Sequence, residues 1–162
     1  MITKLIFSLV ILLIGFSSYS QKKESNDHTL IREESNSWIS YKNKNWDIKY
    51  SPDINDLGYD FIAGSDKDTL KIYPIVRQVI SSKYHDQLNG KRWVINTKCT
   101  GYGQIVSISF LFLSKDDSGI DIDEFAILAE RIKKEVQWEL TFNKKVTDLF
   151  YMQWSFPGPK FQ

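Results

Sequence analysis

Apolar and polar residues alternate along three stretches of this chain, and two further stretches repeat them at helical spacing. Residues 105–113 read Ile-Val-Ser-Ile-Ser-Phe-Leu-Phe-Leu. Successive side chains of a strand face opposite ways. Val106, Ile108, Phe110 and Phe112 therefore share an apolar face, and Ile105, Ser107, Ser109, Leu111 and Leu113 a mixed one. That pattern suits a strand in the middle of a sheet. Trp93, Ile95, Thr97 and Cys99 alternate with Val94, Asn96, Lys98 and Thr100, and Gly101-Tyr102-Gly103 turns the chain into an antiparallel hairpin. Near the end, Phe150, Met152, Trp154 and Phe156 face one way and Leu149, Tyr151, Gln153 and Ser155 the other, before Pro157-Gly158-Pro159 stops the strand.

The first helical stripe is Ile72, Ile75, Val76, Val79, Ile80, Tyr84 and Leu88. Tyr73-Pro74 is expected to open it, since a first-turn proline needs no N–H partner, and Asn89-Gly90 to close it. The second stripe is Phe125, Leu128, Ala129, Ile132 and Val136. Asp121 is placed to cap it, Glu124 to reach back in a variant capping box, and Ile120 and Phe125 to clasp that end. Lys133 and Lys134 suit the helix dipole at the other end.

The amino-terminal third is less regular. Residues 21–36 are polar apart from Leu30 and Ile31 and read as a disordered lead-in. Residues 37–41 and the alternation of Trp46, Ile48 and Tyr50 predict a β-hairpin turning at 42–45, ended by Pro52. Residues 51–69 read as loop with one short helix. Asp53, Asp56, Asp60, Asp66 and Asp68 lie there without the repeat of a calcium loop, so turns and caps account for them better.

Composition adds a compartment. Lys4 followed by an apolar run over 5–16 and Ser17, Ser18, Tyr19 and Ser20 has the form of a cleavable signal peptide, 1–20, which its length favours over the alternative of a retained membrane anchor. The chain is then expected to be exported, to the periplasm or beyond, with no membrane span in the mature form. Lys plus Arg number 21 against 20 Asp plus Glu, and losing Lys4 brings the balance to zero, which gives no footing for nucleic acid. The one cysteine, Cys99, permits no internal disulfide and reads as a small buried hydrophobe. His28 and His85 are too scattered for a His-based metal site, and neither a His-Glu-x-x-His nor a Gly-x-Ser-x-Gly motif occurs. The sequence thus offers no catalytic residue, no metal site and no cofactor site.

From residue 73 onward the order is helix, strand, strand, helix, strand. The Tyr73-Pro74 pair, the alternation over 103–110, the acid-led second helix running to Trp138, and an aromatic-ended last strand together resemble the C-terminal domain of TonB-like energy transducers. The resemblance covers 73–157. It implies an α+β fold, a small antiparallel sheet with two helices packed on one face (an α-β-β-α-β core), here preceded by an N-terminal β-hairpin extension over 37–72. It also implies a non-enzymatic interaction module that meets an envelope or outer-membrane protein by strand addition. If the last strand is an edge, Tyr151, Gln153 and Ser155 are its candidate binding residues. The alternative is a protein that binds or hydrolyses a small sugar-like ligand, stacked on Trp38 and Trp46.

Overall fold

The computed structural model describes residues 23–25, 29–47, 52–64, 67–113 and 119–161, with the backbone alone at 67–69. The signal-like segment, His28 and the 48–50 arm of the expected hairpin lie outside the described residues. The strands are β1 (Lys23–Glu24), β2 (Leu30–Glu34), β3 (Ile39–Asn43), β4 (Phe61–Gly64), β5 (Trp93–Thr100), β6 (Ile105–Phe112), β7 (Leu140–Phe142) and β8 (Tyr151–Pro157). The helices are α1 (Lys67–Val79), α2 (His85–Asn89) and α3 (Ile122–Glu135), with a 3-10 turn at Ser82–Tyr84 ahead of α2. Six strands form one antiparallel sheet in the order β1-β2-β3-β6-β5-β8, and β4 pairs with β7 in a separate ribbon.

The phenylalanine-rich strand is interior, as its pattern predicts. Cross-strand rows run Ile39–Phe112–Trp93 and Tyr41–Phe110–Ile95, and the second continues to Phe156. All these side chains are buried on the face that receives the helices. The register slips between Lys98 and Cys99, so β6 carries one extra residue there. A bulge of this kind turns the following side chains over. Ile105 consequently joins the core and Val106 is only half-buried, the reverse of the simple alternation.

Helices α1 and α3 pack on that same face and on each other. The Phe125 ring lies 4.5 Å from Tyr41, 4.9 Å from Phe110 and 5.9 Å from Phe112. Burying one such side chain contributes roughly 1.5–3 kcal/mol. Ile72, Val76, Leu128 and Ile132 complete the layer. Asp121 caps α3 as expected, accepting from the Asp123 amide at 3.3 Å.

Three expectations are corrected. The disordered lead-in expected over 21–36 is corrected for its described residues, 23–25 and 29–36: β1 and β2 belong to the sheet, and Leu30 and Ile31 are buried. Their charges found partners close by, with Arg32 on Glu34 at 2.8 Å, Lys42 on Glu33 at 3.0 Å and Lys44 on Glu24 at 3.1 Å. The hairpin of β3 is formed with β2 before it, and 37–43 extends the main sheet instead of standing apart as an extension. Finally, α1 begins at Lys67, which puts Pro74 inside it. Pro74 is exposed, so the Leu70 carbonyl that loses its N–H partner there lies towards water.

The buried stripe of α1 follows the expected positions, but the helix stops at Val79. The Glu124 carboxylate takes the Ser81 amide at 2.9 Å and the Ser81 hydroxyl at 2.8 Å. Glu124 thus braces the break between α1 and the following 3-10 turn instead of closing a capping box on its own helix. Between β5 and β6, Gly103 adopts φ +82, and a Cβ there would stand 1.9 Å from the Trp138 carbonyl oxygen. Only glycine lets the hairpin turn approach that backbone, whose amide donates to the Gly103 carbonyl at 2.8 Å.

Candidate strand-docking edge

The six-stranded sheet has two edges with different chemistry. At one end β1 has two residues, Lys23 and Glu24, both exposed. Short, charged edges resist further pairing. At the other end β8 has seven residues, Tyr-Met-Gln-Trp-Ser-Phe-Pro, and no charge. Among the described residues it pairs with β5 alone, from Thr100↔Tyr151 to Val94↔Pro157.

Backbone polarity along β8 follows from its ends. Gly101 donates to the Phe150 carbonyl at 3.1 Å, and Gly158 donates to the Trp93 carbonyl at 2.9 Å. Bonded and non-bonded pairs alternate in an antiparallel ladder. Phe150, Met152, Trp154 and Phe156 therefore turn their amides and carbonyls towards β5, and Tyr151, Gln153, Ser155 and Pro157 turn theirs outward. Pro157 has no N–H, and its carbonyl accepts from the Tyr73 hydroxyl at 3.0 Å. That end of the edge is closed. Gln153 and Ser155 are exposed, and their outward backbone groups have no partner among the described residues.

All three predicted binding residues lie on this strand. Gln153 and Ser155 project from the sheet face away from the helices, and Tyr151, half-buried, does the same at the strand's start. The Ser155 hydroxyl donates to Asn96 Oδ1 at 2.7 Å, which fixes its rotamer. Across the ladder from Gln153 stands Lys98, whose ammonium donates to the Trp46 carbonyl and lies 4.7 Å from the centre of the Trp46 ring. The opposite face of β8 is filled: Trp154 meets Phe61 at 5.4 Å and Trp138 at 6.0 Å. A partner strand would meet a stiff edge backed by packed aromatic rings.

A solved structure shares this fold. It is the crystal structure of a DUF5043 family protein from Bacteroides uniformis, similar over 87% of this chain and 91% of that one, with a TM-score of 0.69 and 13% identity. At that identity the likeness shows the fold alone. No protein-family model matches the sequence, and no curated protein matches it either.

The remaining candidate residues lie away from this edge or inside the core. Trp46 has Lys98 over its ring and is half-buried; Trp38 is 37% exposed, and neither tryptophan belongs to the buried core. Cys99 is buried, and burial pushes its thiol up to about 11, with neighbouring Trp154 pulling weakly the other way. A thiol so far above neutral pH is a poor nucleophile. His85 stacks on Phe161 at 4.1 Å and shares a hydrogen bond of 2.9 Å with the Ile80 carbonyl. Asp53 accepts from the Asn55 amide at 2.8 Å in a turn, as its loop position suggests. Among the described residues no three His, Cys, Asp or Glu side chains converge as metal ligands would, and no helix is long and apolar enough to cross a membrane.

Sequence reasoning put Tyr151, Gln153 and Ser155 on one strand face, where the structure has them, but could not give the direction of the strand's backbone groups. That direction depends on register, and the register is fixed by Gly101 and Gly158. It also missed Tyr73 as the group that closes one end, because Tyr73 and Pro157 are far apart in the chain.

Proposed function

We propose that this chain is an exported, non-enzymatic interaction module that takes a strand of an envelope or outer-membrane protein along β8. One observation carries the reading: β8 is a seven-residue, uncharged edge whose outward backbone groups at Gln153 and Ser155 meet no partner among the described residues. Two residues facing outward offer two donors and two acceptors. Each hydrogen bond made there adds about 0.5–1.5 kcal/mol net, and side chains at alternate positions add selectivity. The signal-like 1–20 segment supports export. The helix–strand–strand–helix–strand order shared with TonB-like C-terminal domains supports strand addition as the mode.

A photo-crosslinking residue at position 153, compared with one at position 127 on the exposed side of α3, tests this in whole cells. The reading expects a discrete adduct from position 153 that is lost when Ser155→Pro removes the outward amide. Equal adducts from both positions, or an adduct indifferent to Ser155→Pro, would overturn it.

A further inference from the structure

The sheet face away from the helices carries a second feature, independent of the strand edge. At the end of the sheet where β8 stops, an open depression of about 450 Å³ is floored by Val94, Leu111 and Leu113, with Pro157 and Pro159 along one side. Small-molecule sites span roughly 300–1,000 Å³. Register explains the apolar floor. Val94 pairs with Leu111 on one side and with Pro157 on the other, so these three form one row across β6, β5 and β8. The next row, Ser109–Asn96–Ser155, is polar. The apolar strip therefore stops abruptly within the sheet and is confined to this end. Gly158 lets the chain turn tightly around the strip: a Cβ there would stand 1.9 Å from the Trp93 ring.

The described charges that line the depression are of one sign. Among the described residues Lys91, Arg92 and Lys160 line it and no carboxylate does. Some cations elsewhere are paired, among them Arg32, Lys42, Lys44, Lys71, Arg131 and Lys133. Lys91, Arg92 and Lys160 have no such partner among the described residues. Three cations without a described ion-pair partner thus stand around an apolar floor.

We infer that this depression binds a single-chain amphiphile with an anionic head, a free aliphatic carboxylate, its tail on Val94, Leu111 and Leu113 and its head among Lys91, Arg92 and Lys160. Charge complementarity selects the head, and the apolar row selects the tail. A concave floor of this size takes one chain and not a bilayer surface.

The test titrates the protein with decanoate, decan-1-ol and decyltrimethylammonium and follows the backbone amides of Val94, Leu111 and Leu113 by NMR. Decanoate is expected to shift these amides saturably and to bind about tenfold or more tightly than the cationic analogue. Arg92→Glu with Lys160→Glu, both on exposed side chains, should weaken decanoate by about tenfold and leave the remaining spectrum unchanged. Equal affinity for the three ligands, no saturable shift, or insensitivity to the charge reversal would overturn the inference. So would binding to anionic phospholipid vesicles in the absence of any decanoate site.

Discussion

Ser81 and Glu124, 43 positions apart, are joined by two hydrogen bonds from one carboxylate, at 2.9 Å to the Ser81 amide and 2.8 Å to its hydroxyl. The contact ties the end of α1 to the first turn of α3 and so fixes how the two helices sit on the sheet. Hydrogen bonds to a charged acceptor are stronger than neutral ones. Glu124→Ala leaves the half-buried Ser81 amide without a partner, and we expect it to lower stability by about 1–3 kcal/mol. Ser81→Ala keeps the amide bond and should lose about half as much. Urea denaturation of the two variants checks the ranking.

Two glycines with positive φ separate conformational strain from steric overlap. Gly119 has φ +63 and open space around it, whereas Gly103 has φ +82 and the Trp138 carbonyl in the way. Gly119→Ala is expected to lose only the left-handed strain, on the order of 1 kcal/mol. Gly103→Ala must also move the 137–138 backbone and should lose about 3 kcal/mol or more. Similar melting temperatures for the two would show that the turn can give.

Cys99 makes a pH prediction. Its thiol titrates at about 11 in the folded chain against 9.0 for an unperturbed group. Above pH 9 the unfolded chain releases this proton while the native chain keeps it, so the unfolded state binds fewer protons and stability falls with rising pH. The contribution is fully present below pH 9 and is lost by about pH 11, and Cys99→Ala should remove that part of the slope. The folded protein should also resist thiol reagents at pH 8 until denaturant is added. Rapid labelling of the native protein would contradict the buried placement.

Proline substitutions read the polarity of β8. Ser155→Pro removes an outward N–H, as Pro157 already does two residues on, and should change stability by no more than about 1 kcal/mol. Trp154→Pro removes an amide that faces β5 and should lose about 3 kcal/mol or more. Thermal unfolding of both variants tests the alternation, and a reversed order would place the ladder one residue out of register.

The sequence showed some of this and hid the rest for identifiable reasons. Phe110, Phe112, Phe125 and Ile132 announced themselves because each element they belong to obeys its own period, and the last strand's two faces were legible for the same reason. Strand β2 was hidden because Arg32, Glu33 and Glu34 look like solvated chain until Lys42 and the other neighbours are in place. The ribbon of β4 and β7 was hidden because Phe61 and Phe142 meet across 81 positions, with the 60s segment full of turn residues. Position 106 was misassigned because a bulge leaves no trace in an alternating pattern. The candidate edge was half legible: Gln153 and Ser155 could be chosen from the pattern, but the openness of their backbone depends on what lies beside β8.

Amide hydrogen exchange along β8 is the most direct check on this account. The amides of Met152, Trp154 and Phe156 should be protected by their bonds to β5, and those of Gln153 and Ser155 should exchange at rates close to an unstructured chain. Binding of a partner strand should then slow Gln153 and Ser155 selectively. If those two amides are already as protected as Trp154 in the protein alone, the edge is occupied and the proposed docking is wrong.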